Sequence, residues 1–440
     1  MRHARTRGRY LSVRHCCMSQ PVPTTLAAWL QFIEQQHPAS IALGLERVRE
    51  VAARLQLGKP GKRVIVVAGT NGKGSTVAFI EAIAHAAGWK VGAYTSPHLE
   101  RYNERVRIAG VEVEDAALVE AFAAIEAARG DTALTYFEYG TLAALWLFQR
   151  AGLDLAVLEV GMGGRLDAVN IVDADVAVIT SVDVDHQVFL GDDRETIGAE
   201  KAGVIRGWKP VVCGEIDPPS SVLRRAYQLG ANALRFGSDF FAEVIDDRRW
   251  RWRDVGLRME LPMPALVGPM QLANAASAIA ALRALDRRVP RTAWAQGIAA
   301  ARNPGRMEVF AHNGVDVLLD VGHNPHAASA VARTLASRPC TGKTHVLLAM
   351  LADKDAAQVA GVLQEHASSW WLAGLAGERG RSAQALAAVL AGQGIEGRTY
   401  PDVAAALAAV LEHAVPGDRV LVTGSFLTVA AARRCLLPAG

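Results

Sequence analysis

Cysteine is scarce: Cys16, Cys17, Cys213, Cys340 and Cys435 are five in 440 residues. Their number is odd, no C-x-x-C occurs, and only the first two lie close together. Neither a disulfide framework nor a zinc site is expected, and a reducing cytoplasm fits. No apolar run reaches the length of a membrane span, because charges or glycines interrupt each one. The net charge is only +3, too small an excess to argue for a nucleic-acid partner. Also missing is an N-K-x-D guanine-reading motif, which argues against a nucleotide-switched binding protein of the GTPase type. There is no internal repeat and no low-complexity segment.

What is present is 51% hydrophobic and 21% charged residues over a length too great for one ordinary core, so two domains are expected. Residues 1–17 stand apart. They carry Arg2, Arg5, Arg7, Arg9 and Arg14 with no acid, and removing these five charges turns +3 into −2. We read the segment as a disordered or mis-started leader, with Met18 the initiator. A transit peptide is the alternative, disfavoured by the shortness of the segment and its lack of an amphipathic helix.

The most informative stretch runs from Arg63 to Thr76. Val64 to Ala68 predicts a buried strand, Gly69, Gly72 and Gly74 bracket Lys73, and Ser75–Ala87 predicts a helix. This layout aims backbone N–H groups and a helix N-terminus at a phosphate chain. Lys73 then reaches the terminal phosphates, and Ser75 or Thr76 offers a hydroxyl to Mg²⁺. The common nucleotide-loop pattern has Ser or Thr directly after the lysine and a glycine where this chain has Val67, so the match is imperfect. Thr341-Gly-Lys-Thr344 has neither the preceding strand nor the following helix.

Strand and helix patterns alternate after the loop, with strands at 91–94, 155–159, 176–180 and 210–213 and helices at 115–128, 139–151 and 195–204. Such alternation predicts a mainly parallel sheet covered by helices. Between Arg235 and Glu260 aromatics and charges alternate, as in Trp250-Arg-Trp252. That texture fits the half-solvated face of an antiparallel insert better than a single-strand nucleic-acid surface. Asn303-Pro-Gly-Arg306 then reads as a hinge, after which the alternation restarts. The expected fold is α/β: a P-loop-type ATPase domain with a small β insert over 18–303, followed by a Rossmann-like α/β domain over 304–440.

Acidic and imidazole groups fall at strand ends, where open α/β sheets place ligands. Glu159 ends one strand and is the natural oxygen ligand for Mg²⁺, with Asp183 or Asp185 a further candidate. His186 follows those two acids. Asp320 ends a strand in the second domain, where a ribose or base is a fitting partner, while His323 and His326 do not read as a zinc pair. Lys201 beside Glu200 reads, on residues alone, as an ordinary solvated helix lysine.

Gly69-Thr-Asn-Gly-Lys-Gly-Ser75 resembles the phosphate loop of the Mur ligase and folylpolyglutamate synthase superfamily, and this removes the anomaly of Gly74. Further similarities follow in order: Thr95-Ser-Pro-His-Leu99, Asn103-Glu-Arg-Val106, Thr135-Tyr-Phe-Glu138, Leu158 to Asp167, Asp185-His186 and Glu200-Lys-Ala-Gly203. Asn274-Ala-Ala276, Pro304-Gly-Arg306, Asp320 to Pro325, Lys354-Asp355 and Thr423-Gly-Ser-Phe426 complete the set. Together they span Leu26 to Ala430 and are similar to the bacterial bifunctional dihydrofolate synthase/folylpolyglutamate synthase branch. The resemblance implies ATP-dependent ligation of L-glutamate to dihydropteroate and to folylpolyglutamates through an acyl phosphate. It implies an ATP site of Asn71, Gly72, Lys73, Gly74, Ser75, Asn274, Arg306 and Asp320, and Mg²⁺ held by Ser96, Glu159 and His186. A second Mg²⁺ site and a monovalent cation are further cofactor expectations. Lys73, Lys201 and His186 become the catalytic set, with Lys201 carbamylated. The pterin site implied is Ile41, Ala42, Leu43 and Gly44 with Thr135, Tyr136, Phe137, Glu138, Leu166, Asp167 and Ala168.

Three positions depart from the pattern: Ala42 stands where relatives often carry an acid, Gln187-Val-Phe189 replaces polar-aromatic residues, and Gly322 replaces an alanine. The partners expected are small molecules (ATP, L-glutamate, dihydropteroate and reduced folates), without nucleic acid or membrane, acting on a cytoplasmic monomer. The nearest rival is a Mur-type cell-wall ligase. The Thr135–Glu138 segment, and the lack of a UDP-binding domain ahead of Gly69, argue against it.

Overall fold

The computed structural model describes residues 23–37, 41–377 and 379–437, so the leader at 1–17 lies outside the described residues. Eight strands form the first sheet: β1 (Arg63–Ala68), β2 (Val91–Tyr94), β3 (Val106–Ile108), β4 (Val111–Glu112), β5 (Leu155–Glu159), β6 (Val176–Ile179), β7 (Pro210–Cys213) and β8 (Asn232–Arg235). Their order is β4-β3-β2-β5-β1-β6-β7-β8, parallel except for the β3–β4 hairpin on one edge. A parallel sheet buried on both faces requires unbroken apolar strands. In β1, accordingly, Val64, Val66 and Ala68 enter one core while Ile65 and Val67 enter the core on the opposite face.

The insert is a three-stranded antiparallel sheet, β9 (Phe240–Val244), β10 (Arg249–Asp254) and β11 (Arg258–Pro262). Its alternation is half-buried, as expected: Trp250 and Trp252 are sealed in the core and their arginine neighbours form ion pairs across the outer face. The tryptophans are therefore not available for base stacking.

The second sheet comprises β12 (Glu308–His312), β13 (Val315–Asp320), β14 (Thr344–Leu348), β15 (Ser369–Ala373), β16 (Arg398–Tyr400) and β17 (Arg419–Thr423). Its order is β12-β13-β17-β14-β15-β16, with only β12 antiparallel. It too has an apolar core on each face.

Several helices begin earlier than periodicity indicates, because their caps set the start. Gly72 occupies the N-cap with φ 90°, so the helix after the phosphate loop starts at Lys73 and runs to Ala86. Thr135 caps Tyr136–Ala151 and Glu138 closes the capping box, three residues ahead of the predicted start. Ser425 caps the last helix, Phe426–Leu436. No helix among the described residues is long and apolar enough to cross a membrane.

Candidate active site

The phosphate loop joins the end of β1 to helix Lys73–Ala86, and two of its glycines are obligatory. A Cβ on Gly69 would lie 1.9 Å from Thr180 Oγ1, and one on Gly72 would lie 2.5 Å from Asn274 Oδ1. Both residues also have positive φ, 149° and 90°. The loop is held from beneath, where Thr180 Oγ1 and Ser181 Oγ donate to Asn71 O at 2.7 and 3.1 Å.

Asn71, Gly72, Gly74, Ser75 and Asn274 line one cavity together with Arg306, Asp320 and His326. The cavity thus draws on both sheets. Asn71 Nδ2 lies 2.7 Å from His326 Nδ1, and the hinge residue Asn303 donates to Ser75 Oγ at 3.2 Å. Asp320 accepts from Met307 N and Gly322 N, and Arg306 attracts its carboxylate, although burial raises its pKa.

Lys73 is the one predicted nucleotide residue outside this cavity. It faces a smaller one with Asp185, His186 and Lys201, where its Nζ donates to Gly69 O and Thr70 O at 3.1 and 3.3 Å. Burial lowers its pKa, opposed chiefly by the charge of Glu159. Burial likewise raises the pKa of Glu159, opposed by Lys73. Both are poorly solvated charges, whose surroundings a phosphate beside Lys73 and a cation beside Glu159 would improve.

The implied metal ligands fall into two groups. Ser96 N donates to Glu159 Oε2 at 3.2 Å, and both line a groove running between the sheets, whereas His186 faces the Lys73 cavity. Among the described residues no group of three or more His, Cys, Asp or Glu side chains is arranged to hold a metal ion. One buried carboxylate, one serine and one imidazole still suit Mg²⁺, which usually takes only one or two protein carboxylates and completes its shell with substrate phosphates and water. Asp185 is not free for that role: it pairs with Lys354 at 3.3 Å and accepts from Asn324 at 3.1 Å, both contributed by the second sheet's half of the chain.

Lys201 corrects the solvated reading. It ends helix Arg194–Lys201 and is 3% exposed, while neighbouring Glu200 takes the surface ion pair, with Arg165. Burial, then repulsion by Lys73, lowers its pKa to about 7. A one-residue step on a helix separates a buried face from a solvated one, and nothing in Glu-Lys alone marks which residue faces inward.

The pterin-site candidates assemble from three segments. Gly44 N donates to Leu166 O at 3.4 Å, bringing the 41–44 and 161–168 segments together. Phe137 lies against Gly161, where a Cβ would stand 2.6 Å from its ring. Asp167 accepts from Met162 N and Val169 N, yet burial raises its pKa to about 6. Ile41 is exposed and Ala42 O accepts from Arg47. The Glu138 carboxylate is already committed to Thr135 N and to Arg47 at 3.0 Å, so it shapes the site from behind. The sequence assigns no role to Tyr94, Arg105 or Lys354, and to Asn303 only that of a hinge. Asn303, Arg105 and Lys354 lie inside motifs it singled out, which was the available signal.

Residues 67–282 match the Mur ligase middle domain and 305–426 the Mur ligase glutamate ligase domain. A dihydrofolate synthase/folylpolyglutamate synthase of Escherichia coli K12 is 48% identical over 92% of this chain and 94% of its own length. Among solved structures, E. coli FolC in complex with DHPP and ADP superposes with a TM-score of 0.90 at 46% identity, covering 94% of this chain and 98% of that one. A bifunctional folylpolyglutamate synthase/dihydrofolate synthase with Mn, AMPPNP and L-glutamate bound gives 0.88 at 46%, covering 94% and 99%. The chain belongs to the dihydrofolate synthase/folylpolyglutamate synthase family of the Mur ligases.

Proposed function

We propose that this chain ligates L-glutamate to dihydropteroate, giving dihydrofolate, and to folylpolyglutamates, at the expense of ATP. The observation that carries the reading is the single cavity shared by the phosphate loop, Asn274, Arg306 and Asp320. The helix N-terminus at Gly72–Ser75 receives the phosphates, and Asn274, Arg306 and Asp320 hold the nucleoside end. Lys73 releases Gly69 O and Thr70 O and turns to the γ-phosphate, where its charge stabilises phosphoryl transfer to the substrate carboxylate. The amine of L-glutamate then attacks the acyl phosphate and phosphate leaves. The two halves of the chain keep water from that anhydride through contacts such as Asp185–Lys354 and Asn71–His326.

Ser96, Glu159 and His186 would hold Mg²⁺, which supplies charge neutralisation at the transferring phosphoryl group. A second Mg²⁺ and a monovalent cation complete the cofactor set we infer. An amine with a pKa near 7 is largely neutral at cellular pH, so Lys201 can add CO₂, losing a proton and becoming an anionic carbamate. The pterin ring occupies the space between segments 41–44, 135–138 and 166–168. A cytoplasmic monomer completes the reading. The test is turnover with ATP, L-glutamate and dihydropteroate, following ADP and dihydrofolate together. ADP release without dihydrofolate, or no dependence on dihydropteroate, would overturn it.

A further inference from the structure

The backbone of His186 is not held by the packing of its own half of the chain. It lies at φ 53°, ψ 40°, the left-handed region that a residue with a Cβ occupies only when its surroundings impose it. His186, Gln187, Val188 and Phe189 are all exposed, Val188 at 92%, and only Leu190 of the short helix Gln187–Leu190 is buried. Hydrogen bonds hold the segment instead. At its entry Asp183 N donates to Thr70 Oγ1, and Thr70 Oγ1 donates to Asp183 O, both at 3.0 Å. At His186 itself the holding group is Asp185, whose Oδ1 accepts from His186 N at 2.8 Å.

Asp185 is in turn fixed by the second sheet's half of the chain. Lys354 Nζ lies 3.3 Å from the same Oδ1, and Asn324 Nδ2 donates to Oδ2 at 3.1 Å. The side chains of Lys354 and Asp185 are 15% and 13% exposed, so water competes little for this pair. Both partners are themselves pinned. The side-chain oxygen of Asn324 caps helix Pro325–Ser337 by accepting from Ala327 N at 2.8 Å, which leaves its N–H edge to face Asp185. The loop that carries Lys354 is braced by Arg381, whose Nη2 donates to Ala352 O at 2.9 Å and to Lys354 O at 3.0 Å. One chain of contacts thus runs from Arg381 through Lys354 and Asp185 to the backbone of His186.

We propose that Asp185 is a positioning residue: it sets His186 for the divalent cation, and it does so only while Lys354 and Asn324 of the other half engage it. The role of His186 rests on the ligase reading above. With the halves apart, Asp185 is free to turn to water and His186 to leave the left-handed region. Phosphoryl transfer then waits until the halves meet.

The test uses the full chain without folate or glutamate. K354M removes the charge at similar reach, K354R keeps it, and N324D keeps the helix cap while setting a carboxylate against Asp185. Two quantities are read: amide hydrogen exchange over residues 186–190 in metal-free protein, and the Kd for Mn²⁺ in the presence of AMPPNP. K354M and N324D should each speed that exchange and weaken Mn²⁺ binding by roughly 10-fold, the scale of one hydrogen bond to a charged group. K354R should recover most of both, and ADP affinity without metal should not move. Electrostatics alone would act the other way, since K354M removes a positive charge near the cation and N324D adds a negative one. Tighter or unchanged Mn²⁺ binding, or unchanged exchange over 186–190, therefore overturns the inference. So does faster exchange spread across both sheets, which marks loss of fold rather than of positioning. Each of these leaves the ligase reading intact. The expected shifts in a protein that makes no dihydrofolate would overturn that reading alone.

Discussion

Replacing Lys201 by methionine should make the protein more stable and less active at once. The residue is 3% exposed and burial pushes its pKa from 10.5 to about 7. In the unfolded chain a lysine holds its proton to about pH 10.4. Between about 7 and 10.4 the unfolded state binds a proton that the folded state does not, so stability rises with pH across that window. Below about pH 7 both states are protonated and the fold bears the whole cost of burying an ammonium. A shift from 10.5 to about 7, at ~1.4 kcal/mol per unit, sets that cost at about 5 kcal/mol as an upper bound. Methionine has a similar reach and no charge, and the Lys201 ammonium makes no hydrogen bond among the described residues that its loss would forfeit. In CO₂-depleted buffer without nucleotide, urea unfolding at pH 6.5 should show Lys201→Met more stable by up to that amount, the gain shrinking toward pH 10. Activity should fall strongly in Lys201→Met and Lys201→Ala and recover in part in Lys201→Glu, which returns an anionic oxygen ligand. A variant no more stable than wild type at pH 6.5, or a gain that stays constant to pH 10, would refute the assignment of the cost to a buried ammonium.

Lys73→Ala should lower kcat/KM by about 10²–10³ with the melting temperature little changed, and activity within about threefold of wild type would remove the loop lysine from the mechanism. Chelation of divalent cations should abolish turnover, with Mg²⁺ or Mn²⁺ restoring it; turnover that persists in EDTA would refute the roles given to Ser96, Glu159 and His186. A third outcome concerns Asp418, at the far end of the second sheet. Burial pushes its pKa up, but Val415 N, Lys343 N and His345 outweigh burial and hold it down to about 2. Its stabilisation is therefore complete above the unfolded value of about 3.9 and lost as pH falls toward 2. Asp418→Asn should be destabilised at pH 7 and converge on wild type near pH 2 in denaturant midpoint, and a deficit independent of pH would contradict this.

The fold was legible wherever burial on both sides forced unbroken apolar strands, as in β1, β5 and β17. It was hard to read where strands are short or lie at an edge: β4 is only Val111–Glu112, exposed at both residues, and β8 and β16 carry mixed polarity. The phosphate loop could be read because glycine, lysine and helix start must follow in fixed order. Asp320 was legible as a nucleotide partner from its place at a strand end, whereas Arg306, more than 200 residues from the loop, came from resemblance. Lys201 was misjudged on its residues alone because helix facing depends on what packs there. Asp185 was quoted within a motif, but only its three-dimensional neighbours reveal that Lys354 and Asn324 claim it.

The contacts that tie the halves of this chain together are mostly charged or polar: Arg433 with Glu100 at 2.6 Å, Lys354 with Asp185, and Asn324 with Asp185. The four apolar cores are closed within one half or the other, with Val267 and Leu99 among the few apolar side chains that reach across. Parting the halves therefore wets little hydrocarbon and carries a small heat-capacity change. Parting them would instead exchange ion pairs that water and dissolved salt can replace. Such a seam would make any parting of the halves sensitive to ionic strength and only weakly sensitive to temperature, and would present no sticky surface to neighbouring molecules.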